Sequence, residues 1–444
     1  MTQQANKPHA AVSGDPPEID FDLDKLQRDA FGYFLHGTNP ANGLVVDKNA
    51  EDSPASIAAT GLALMAYPVG VERGFISRSS AAERTLATLR FFWNSRQGPE
   101  CDATGYHGFY YHFLDMQTGH RVRKCELSTV DSAFLLAGAL TAGLYFDAET
   151  AGENEIRELG EALYRRADWK WAQNHGTTVT HGWKPESGFL KYRWVGYDEA
   201  LLLYVLGLGS PSYPLSEESY MAWTSTYRWE RCYGQEYLYA GPLFAHQLSH
   251  LWLDFRGIRD AFMRDKGIDY FENSRRATHV QRQYAIDNPL GFKHYGLYSW
   301  GITASDGPGP DTIAIDGIER QFYDYVARGV PYGPDDGTLA PWALVASLPF
   351  APELVLPALH HWFHLTKSTL YDSCGLMASF NPAHPGAIGN PYGWWVSPWQ
   401  YGINQGPIVS MIENYRSGLL WLLTRKCPYI SVGLRRAGFK GGWL

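Results

Sequence analysis

Carboxylates set among aromatic rings are the first chemical signal in this sequence. The densest stretch runs from Gly182 to Pro214, where Glu186, Asp198 and Glu199 are interleaved with Trp183, Tyr192, Trp194 and Tyr197, just ahead of an apolar run from Ala200 to Leu206. An acid that cleaves a glycosidic bond must hold its proton near neutral pH, and an aromatic, water-poor pocket raises a carboxyl pKa in that way. Glu199 is therefore the first candidate for a general acid. The competing account is structural. Asp198 caps the coming helix and Glu199 complements its positive end, which favours the ionised form.

Three further segments carry similar residue types. In CELSTVDSAFLL (125–136), Ser128 and Asp131 have capping-box spacing, which explains Asp131 without any substrate, and Glu126 precedes the cap at a loop edge. Both remain candidates for the second carboxylate of a glycosidase, against a plain cap and a solvated loop acid. In YGPDDGTLAP (332–341), Asp335-Asp336-Gly337 is a turn by composition and Thr338 a helix cap, yet the adjacent carboxylates Asp335 and Asp336 beside Tyr332 leave an acid or base role open. In WWVSPWQYGINQGPIVSMIENYR (394–416), Trp394, Trp395 and Trp399 fall within six residues of a Gly/Pro-rich loop. A loop offers little core to receive three indoles, so a stacking platform for sugar rings is the better reading. Asn404 and Gln405 can bond sugar hydroxyls, whereas Glu413 and Arg416 read as a structural ion pair. Trp183, Arg193, Trp194, Tyr197 and Tyr332 complete the candidate substrate contacts.

Other chemistries are weaker. His360, His361 and His364 give HHxxH without the glutamate of HExxH, and His246, His250 and Asp254 line one face at a spacing that core histidines explain more simply than a metal. Ser210 lacks a GxSxG elbow. No GxGxxG or GxxxxGK[ST] motif supports nucleotide binding.

The elements that must position these residues are mainly helical. Leu23, Leu26, Ala30, Phe31 and Phe34 form one apolar stripe. Ser53-Pro54 opens a second helix that Pro68 closes, and Ser80 with Glu83 makes a capping box for a third. Further helical patterns cover about 128–145, 155–173, 198–207, 216–228, 241–264, 316–328, 338–348, 352–366, 406–425 and 429–437. Strand signals are few, the clearest being a hairpin at 109–114 and 120–122. This is an all-α pattern of about a dozen helices, with long connections dense in Gly, Pro and aromatics at 98–125, 174–197, 287–315, 329–337 and 371–405. Residues 1–20 read as a disordered leader and 21–444 as a single domain without a polar linker.

Composition bounds the partners. Lys and Arg total 38 against 46 acids, for a net charge of −8, and no basic run could track a phosphate backbone, so nucleic acid and anionic membrane are not expected. No stretch approaches 18 apolar residues and the N-terminus shows no export signal, which places the chain in the cytoplasm as written, or in the periplasm if a signal was removed. Five scattered cysteines without a CxxC pair argue against a disulfide framework or a zinc site. Aromatics reach 15%; a core can use many of them, but Tyr and Trp also offer flat apolar faces with a polar handle, which suits an oligo- or polysaccharide partner.

The assembled motifs resemble the glucoamylase-like bacterial domain that includes endo-β-1,2-glucanases and sophorose-releasing enzymes, and the related domain of cyclic β-1,2-glucan synthases. The resemblance is carried by STVDSAFLLAG (128–138), GWKPESGFL with YDEALLLYVLGLGSPSYP (182–214), YGPDDGTLAP with SLPFAPE (332–353) and INQGPIVSMIENYRSGLLW (403–421), in the family's order. It implies an (α/α)6 toroid of six inner and six outer helices, with the site in a cleft at one end and no metal or organic cofactor. It assigns the general acid to Glu199, sets Asp131 and Glu126 near the same cleft, and lays 394–405 along the sugar subsites. Many relatives read IDQGP where this chain reads INQGP, so neutral Asn404 cannot act as a base. Asp131, Glu126 and Asp336 are the alternatives. The expectation is an inverting glycoside hydrolase acting on β-linked glucan, namely β-1,2-glucan or its oligosaccharides, with a transglycosylase, an exo-acting glycosidase on another linkage or a non-catalytic glycan-binding toroid as rivals.

Overall fold

The computed structural model describes residues 22–366, 370–372, 375–386 and 393–444. The leader expected at 1–20 and Cys374 lie outside the described residues. Two kinds of helix divide the work. Ile57–Glu72 is buried at 14 of its 16 positions and Leu201–Gly209 at every one. Helices apolar on all sides must sit inside the molecule. Thr129–Tyr145, Pro341–Ala346 and Gly402–Arg416 are of the same type. Leu23–His36, Ala151–Arg166 and Pro428–Arg436 instead bury one stripe and expose the rest.

The buried helices pack side by side. Ile57–Glu72 lies against both Thr129–Tyr145 and Gly402–Arg416, Thr129–Tyr145 also touches Leu201–Gly209, and Gly402–Arg416 meets Pro341–Ala346. Amphipathic helices back them: Ala151–Arg166 on Thr129–Tyr145, Pro428–Arg436 on Leu201–Gly209, and Leu23–His36 on Gly402–Arg416. This is the arrangement of an α/α toroid. The crossing of Ile57–Glu72 with Thr129–Tyr145 needs glycine on both helices. A Cβ on Gly138 would meet the Gly61 carbonyl oxygen at 2.1 Å, and one on Gly61 the Phe134 oxygen at 2.5 Å. Backbone touches backbone there.

Several boundaries differ from expectation for local reasons. Ser56, not Ser53, caps the second helix, which starts at Ile57 rather than Pro54, and Pro68 sits inside it. The third helix starts at Arg78 under Ser77, whose hydroxyl accepts from Ser80, so Ser80-Glu83 is not its capping box. The segment 241–264 breaks into two 3₁₀ turns, Leu243–His246 and Leu248–Leu251, before the short Ala261–Lys266 helix. The expected helix at 316–328 is absent. Asp311–Ile315 pairs with Ile318–Phe322 around Asp316-Gly317, both at positive φ, the hairpin turn that an Asp-Gly pair favours. Conversely, polar Tyr270–Asp287 is a full helix between an Asp269 cap and left-handed Asn288. Of the expected hairpin, Phe113–Leu114 pairs with Ala55–Ser56 and Leu114 bridges Arg121, while Phe109–Tyr111 belongs to a five-stranded sheet with Gly105–Tyr106, Leu127–Ser128, Gly182–Lys184 and Gly188–Phe189.

Candidate active site

The starts of four of the five buried helices, all but Ile57–Glu72, face one cavity of about 310 Å³. Ser128, Val130, Asp131 and Phe134 come from the first turns of Thr129–Tyr145, and Glu199 from just before Leu201–Gly209. Phe244 and Leu248 arrive from the 3₁₀ turns, Trp342 from Pro341–Ala346, and Ile403 and Asn404 from Gly402–Arg416. Helix N-termini carry partial positive charge, so their convergence favours anions.

The small sheet brings the remaining wall. Leu127 pairs with Trp183 and Ser128 with Gly182, and a Cβ on Gly182 would meet the Leu127 oxygen at 2.1 Å. That close approach draws His181 and Glu126 to the same side of the cavity as Asp131. His112 is fixed between two helix starts, because its backbone N–H donates to Glu126 O at 2.9 Å and its carbonyl accepts from Ile57 N at 3.3 Å. Trp194 lies flat on His181, with centroids 3.8 Å apart, and donates through Nε1 to Thr129 Oγ1 at 3.0 Å.

The charges in the cavity are unequal. Burial pushes the Glu199 carboxyl up to about 7, with the nearby Asp131 charge adding to it. The helix-end field favours ionisation, and burial overrides it. Asp198 takes the capping role, accepting from Ala200 N at 3.0 Å and Trp223 Nε1 at 3.2 Å. Glu126 is the opposite case. Its hydrogen bond with His112 Nδ1, at 2.9 Å, holds it down to about 2. Burial alone would lower His112, but Asp131, Glu126 and Asp47 raise it to about 9. His112 Nε2 is 3.7 Å from Asp131 Oδ2, which also accepts from Ser128 Oγ. At neutral pH the cavity therefore holds a partly protonated Glu199 and an imidazolium set between two carboxylates.

Of the residues singled out from the sequence, Glu199, Asp131, Glu126, Trp194 and Asn404 share this cavity. The other nine lie outside its wall. Asp336 is fully buried in a bidentate pair with Arg328 (Nε–Oδ1 2.7 Å, Nη2–Oδ2 2.8 Å) and also accepts from Tyr323 N and Thr338 N, which leaves no lone pair for water. Arg193 clamps a turn, donating to the Gln173, Thr178 and Asn174 carbonyls. Trp183 packs with Tyr106 and Trp171, and Tyr197 with Tyr227, His246 and Tyr270. Tyr332 is exposed beside Tyr239 and Cys232. Gln405 is buried and donates to Leu376 O at 2.8 Å. The three tryptophans form no common face along the cavity: Trp394 meets His294 edge-on, Trp395 is paired in a two-residue strand with Asn381, and Trp399 lies under Lys48. The Glu413–Arg416 pair is replaced by Glu413 with Arg73 and Arg416 with Asp24. His246, His250 and Asp254 are buried and bonded to Ala240 O, Ser274 and Arg256 respectively.

Sequence reasoning missed His112, His181, Tyr325 and Trp342 on the wall, and Asp47 beside it. Burial raises the Asp47 carboxyl against the pull of His112, Lys48 and Arg123, with Asp131 adding to the rise. Its carbonyl accepts from Gly402 N at 2.9 Å, two residues from Asn404. No local motif marks these positions; Trp342 comes from the start of Pro341–Ala346 and the others from neighbouring strands or loops.

A fold of packed inner and outer helices with acids at the helix starts defines the class. The chain belongs to the Glycoamylase family, whose model, described as "Putative glucoamylase", matches residues 191–428, more than half of the 444 residues. A Bacteroides uniformis protein of the same description, known from its crystal structure, is 32% identical, with a TM-score of 0.83 over 95% of this chain and 98% of that one. The endo-β-1,2-glucanase from Chitinophaga pinensis, solved with sophorotriose and glucose, is 26% identical, with a TM-score of 0.82 over 95% of this chain and 98% of that one. The exo β-1,2-glucooligosaccharide sophorohydrolase (non-reducing end) of Parabacteroides distasonis is 29% identical over 93% of this chain. The chain spans 57% of that relative's length.

Proposed function

We propose that this protein is a glycoside hydrolase that cleaves β-1,2-linked glucan or its oligosaccharides by inversion. The observation that carries the reading is the pair of carboxyls, Glu199 and Asp131, on one cavity, with Glu199 raised to about 7. Glu199 donates its proton to the leaving glycosidic oxygen. Asp131 takes the proton of the attacking water, directly or through a substrate hydroxyl, as water oxygen bonds to the anomeric carbon and the glycosidic bond breaks. Glu126 is too weak a base at about 2 and serves instead to orient His112 against Asp131. Trp194 offers an apolar wall and Asn404 a hydroxyl partner. The choice of β-1,2 linkage is supported by the relatives named above. We also infer six inner and six outer helices forming one domain over 21–444.

A non-catalytic glycan-binding toroid is the second reading, favoured by neutral Asn404 in the cavity. One experiment separates them. The protein is incubated with β-1,2-, β-1,3-, β-1,4- and α-1,4-glucans while reducing ends, product sizes and the released anomer are followed. New reducing ends from β-1,2-glucan with inverted anomer are expected. A ladder of products marks endo action and one small product exo action, whereas constant reducing ends with new chain lengths mark transfer. Bound but unchanged glucan would sink the hydrolase reading. Among the described residues no helix is long and apolar enough to cross a membrane.

A further inference from the structure

The segment from Ala304 to Arg328 forms an arm over the cavity, and its use is not explained by the acid pair. Ala304–Ser305 pairs with Val326–Ala327, and the Asp311–Phe322 hairpin extends beyond them. Ala304 and Tyr325 both line the Glu199 cavity.

The backbone on either side of Tyr325 is held hard. Tyr323 N donates to Asp336 Oδ2 at 2.9 Å, while Arg328 Nη2 donates to the Tyr323 and Asp324 carbonyls at 3.1 and 3.2 Å. Arg328 Nη1 reaches Ser305 O at 2.7 Å, tying the arm's two strands together. The approach is so close that a Cβ on Gly307 would meet Arg328 Nη2 at 2.1 Å and Tyr323 O at 2.4 Å. At the base, Asp306 accepts from Ser379 Oγ at 2.8 Å and Ser397 Oγ at 2.6 Å. Both Arg328 and Asp336 are 0% exposed, so the anchor is solvent-free.

Tyr325 itself is 63% exposed. Among the described residues no hydrogen bond or ring contact holds its side chain. A rigid backbone that presents a free phenol ring at a cavity mouth has the ordering cost of binding already met, and a flat aromatic face with a hydroxyl edge suits a pyranose ring. Although the ring is open to solvent, the protein atoms crowded around the cavity mouth, then Asp47, Glu199, Asp131 and Asp306, push the phenol up to about 12, so it remains a neutral donor among acids.

We propose that Tyr325 is the carbohydrate-stacking residue that holds a glucosyl ring over the Glu199 cavity, and that the buried Arg328–Asp336 pair is the device that positions it. This rests on the glycan-cleaving reading above. The role assigned from sequence to the 394–399 tryptophans passes to a single tyrosine on the arm, and Asp336 acts through that tyrosine rather than on water.

The test is calorimetric titration of oligosaccharides from the same four-glucan panel into the Glu199→Gln protein, alone and with Tyr325→Ala, Tyr325→Phe or Arg328→Lys, with steady-state kinetics in the Glu199 background. Tyr325→Ala is expected to weaken binding and raise KM about tenfold with an unchanged unfolding midpoint, since the ring is on the surface. Tyr325→Phe keeps the face and restores affinity to within about threefold. Arg328→Lys keeps the charge but not the fork, so it lowers affinity, and adding Tyr325→Ala to it costs little more because both act through one ring. If Arg328→Lys fails to fold, the two Tyr325 variants decide. A parent that binds a glucan equally well with and without the Tyr325 ring overturns this proposal alone. Fully additive losses in the double variant remove the positioning role. A parent that binds none of the four glucans overturns both this proposal and the function it rests on.

Discussion

Glu199 sits where two effects oppose each other. The start of Leu201–Gly209 pulls the carboxyl towards its ionised form, worth about 0.3–1 kcal/mol at an exposed helix end. Burial beside Asp131 pushes the other way and wins, leaving the group near 7. Glu199→Gln should lower turnover by two or more orders of magnitude, the usual loss of an acid catalyst. In the parent, kcat should fall about tenfold per pH unit above 7 as the proton is lost; a rate flat to pH 9 would remove Glu199 from the role. His112 makes a separate prediction. Its folded value of about 9 lies above its ordinary 6.5, so the stability it contributes is complete below 6.5 and is lost as pH rises through 9. Glu126, held down to about 2, contributes above 4.5 and loses this as pH falls. Thermal unfolding should therefore show a fall on the order of 2 kcal/mol between pH 6.5 and 9. His112→Gln should be less stable at pH 6 and lack most of that slope. A parent with no slope would show that the imidazolium is not formed.

Single elements show how helices become walls of a site. Ile57–Glu72 and Thr129–Tyr145 meet through Gly61 and Gly138 with backbone in contact, which sets the distance between their N-termini and hence between His112, bonded to Ile57, and Asp131. Gly138→Val would drive side-chain atoms into the Gly61 carbonyl. Overpacking of this kind costs about 1–3 kcal/mol. Chemical denaturation should show that loss together with lower kcat, because the two helix starts move apart. A change confined to stability would mean that the crossing does not set the site. The same scale explains the failed helix at 316–328. Its apolar spacing fits a helix, but Asp316-Gly317 turns it into a hairpin whose base carries Tyr325.

Across the whole molecule, elements far apart in the chain close on each other. Leu23–His36 packs on Gly402–Arg416, with Gln27 Nε2 donating to Val409 O at 2.9 Å and to Glu413 Oε2 at 3.2 Å. Near the other terminus, Trp443 Nε1 donates to Asp254 O at 2.8 Å. Contacts of such long sequence separation make partial unfolding costly, because no helix pair keeps its neighbours when another leaves. Calorimetry should show one unfolding transition for 22–444, with midpoints by fluorescence and circular dichroism that coincide. Two separated transitions would divide the domain. Oligosaccharide present during the scan should raise the midpoint in proportion to the logarithm of its concentration.

The residue types and their local spacing determined a good deal. Runs such as LLLYVLGLG can only be buried helix, and a glutamate between aromatics and such a run, Glu199, is a strong acid candidate whatever the fold. Ser128 and Asp131 were legible as a cap, and the cap is present, but its acid also faces the cavity. What sequence could not decide is which side chains share a space. Asp336, Arg193 and Gln405 had suitable chemistry and spend it on buried partners, while His112, Asp47 and Tyr325 had no local signature and come to the site through strands and loops that pack tens to hundreds of residues from Glu199. The physical reason is that helix formation depends on neighbours three and four positions away, whereas a cavity and the pKa values in it depend on burial and on charges brought together only when distant helix ends converge.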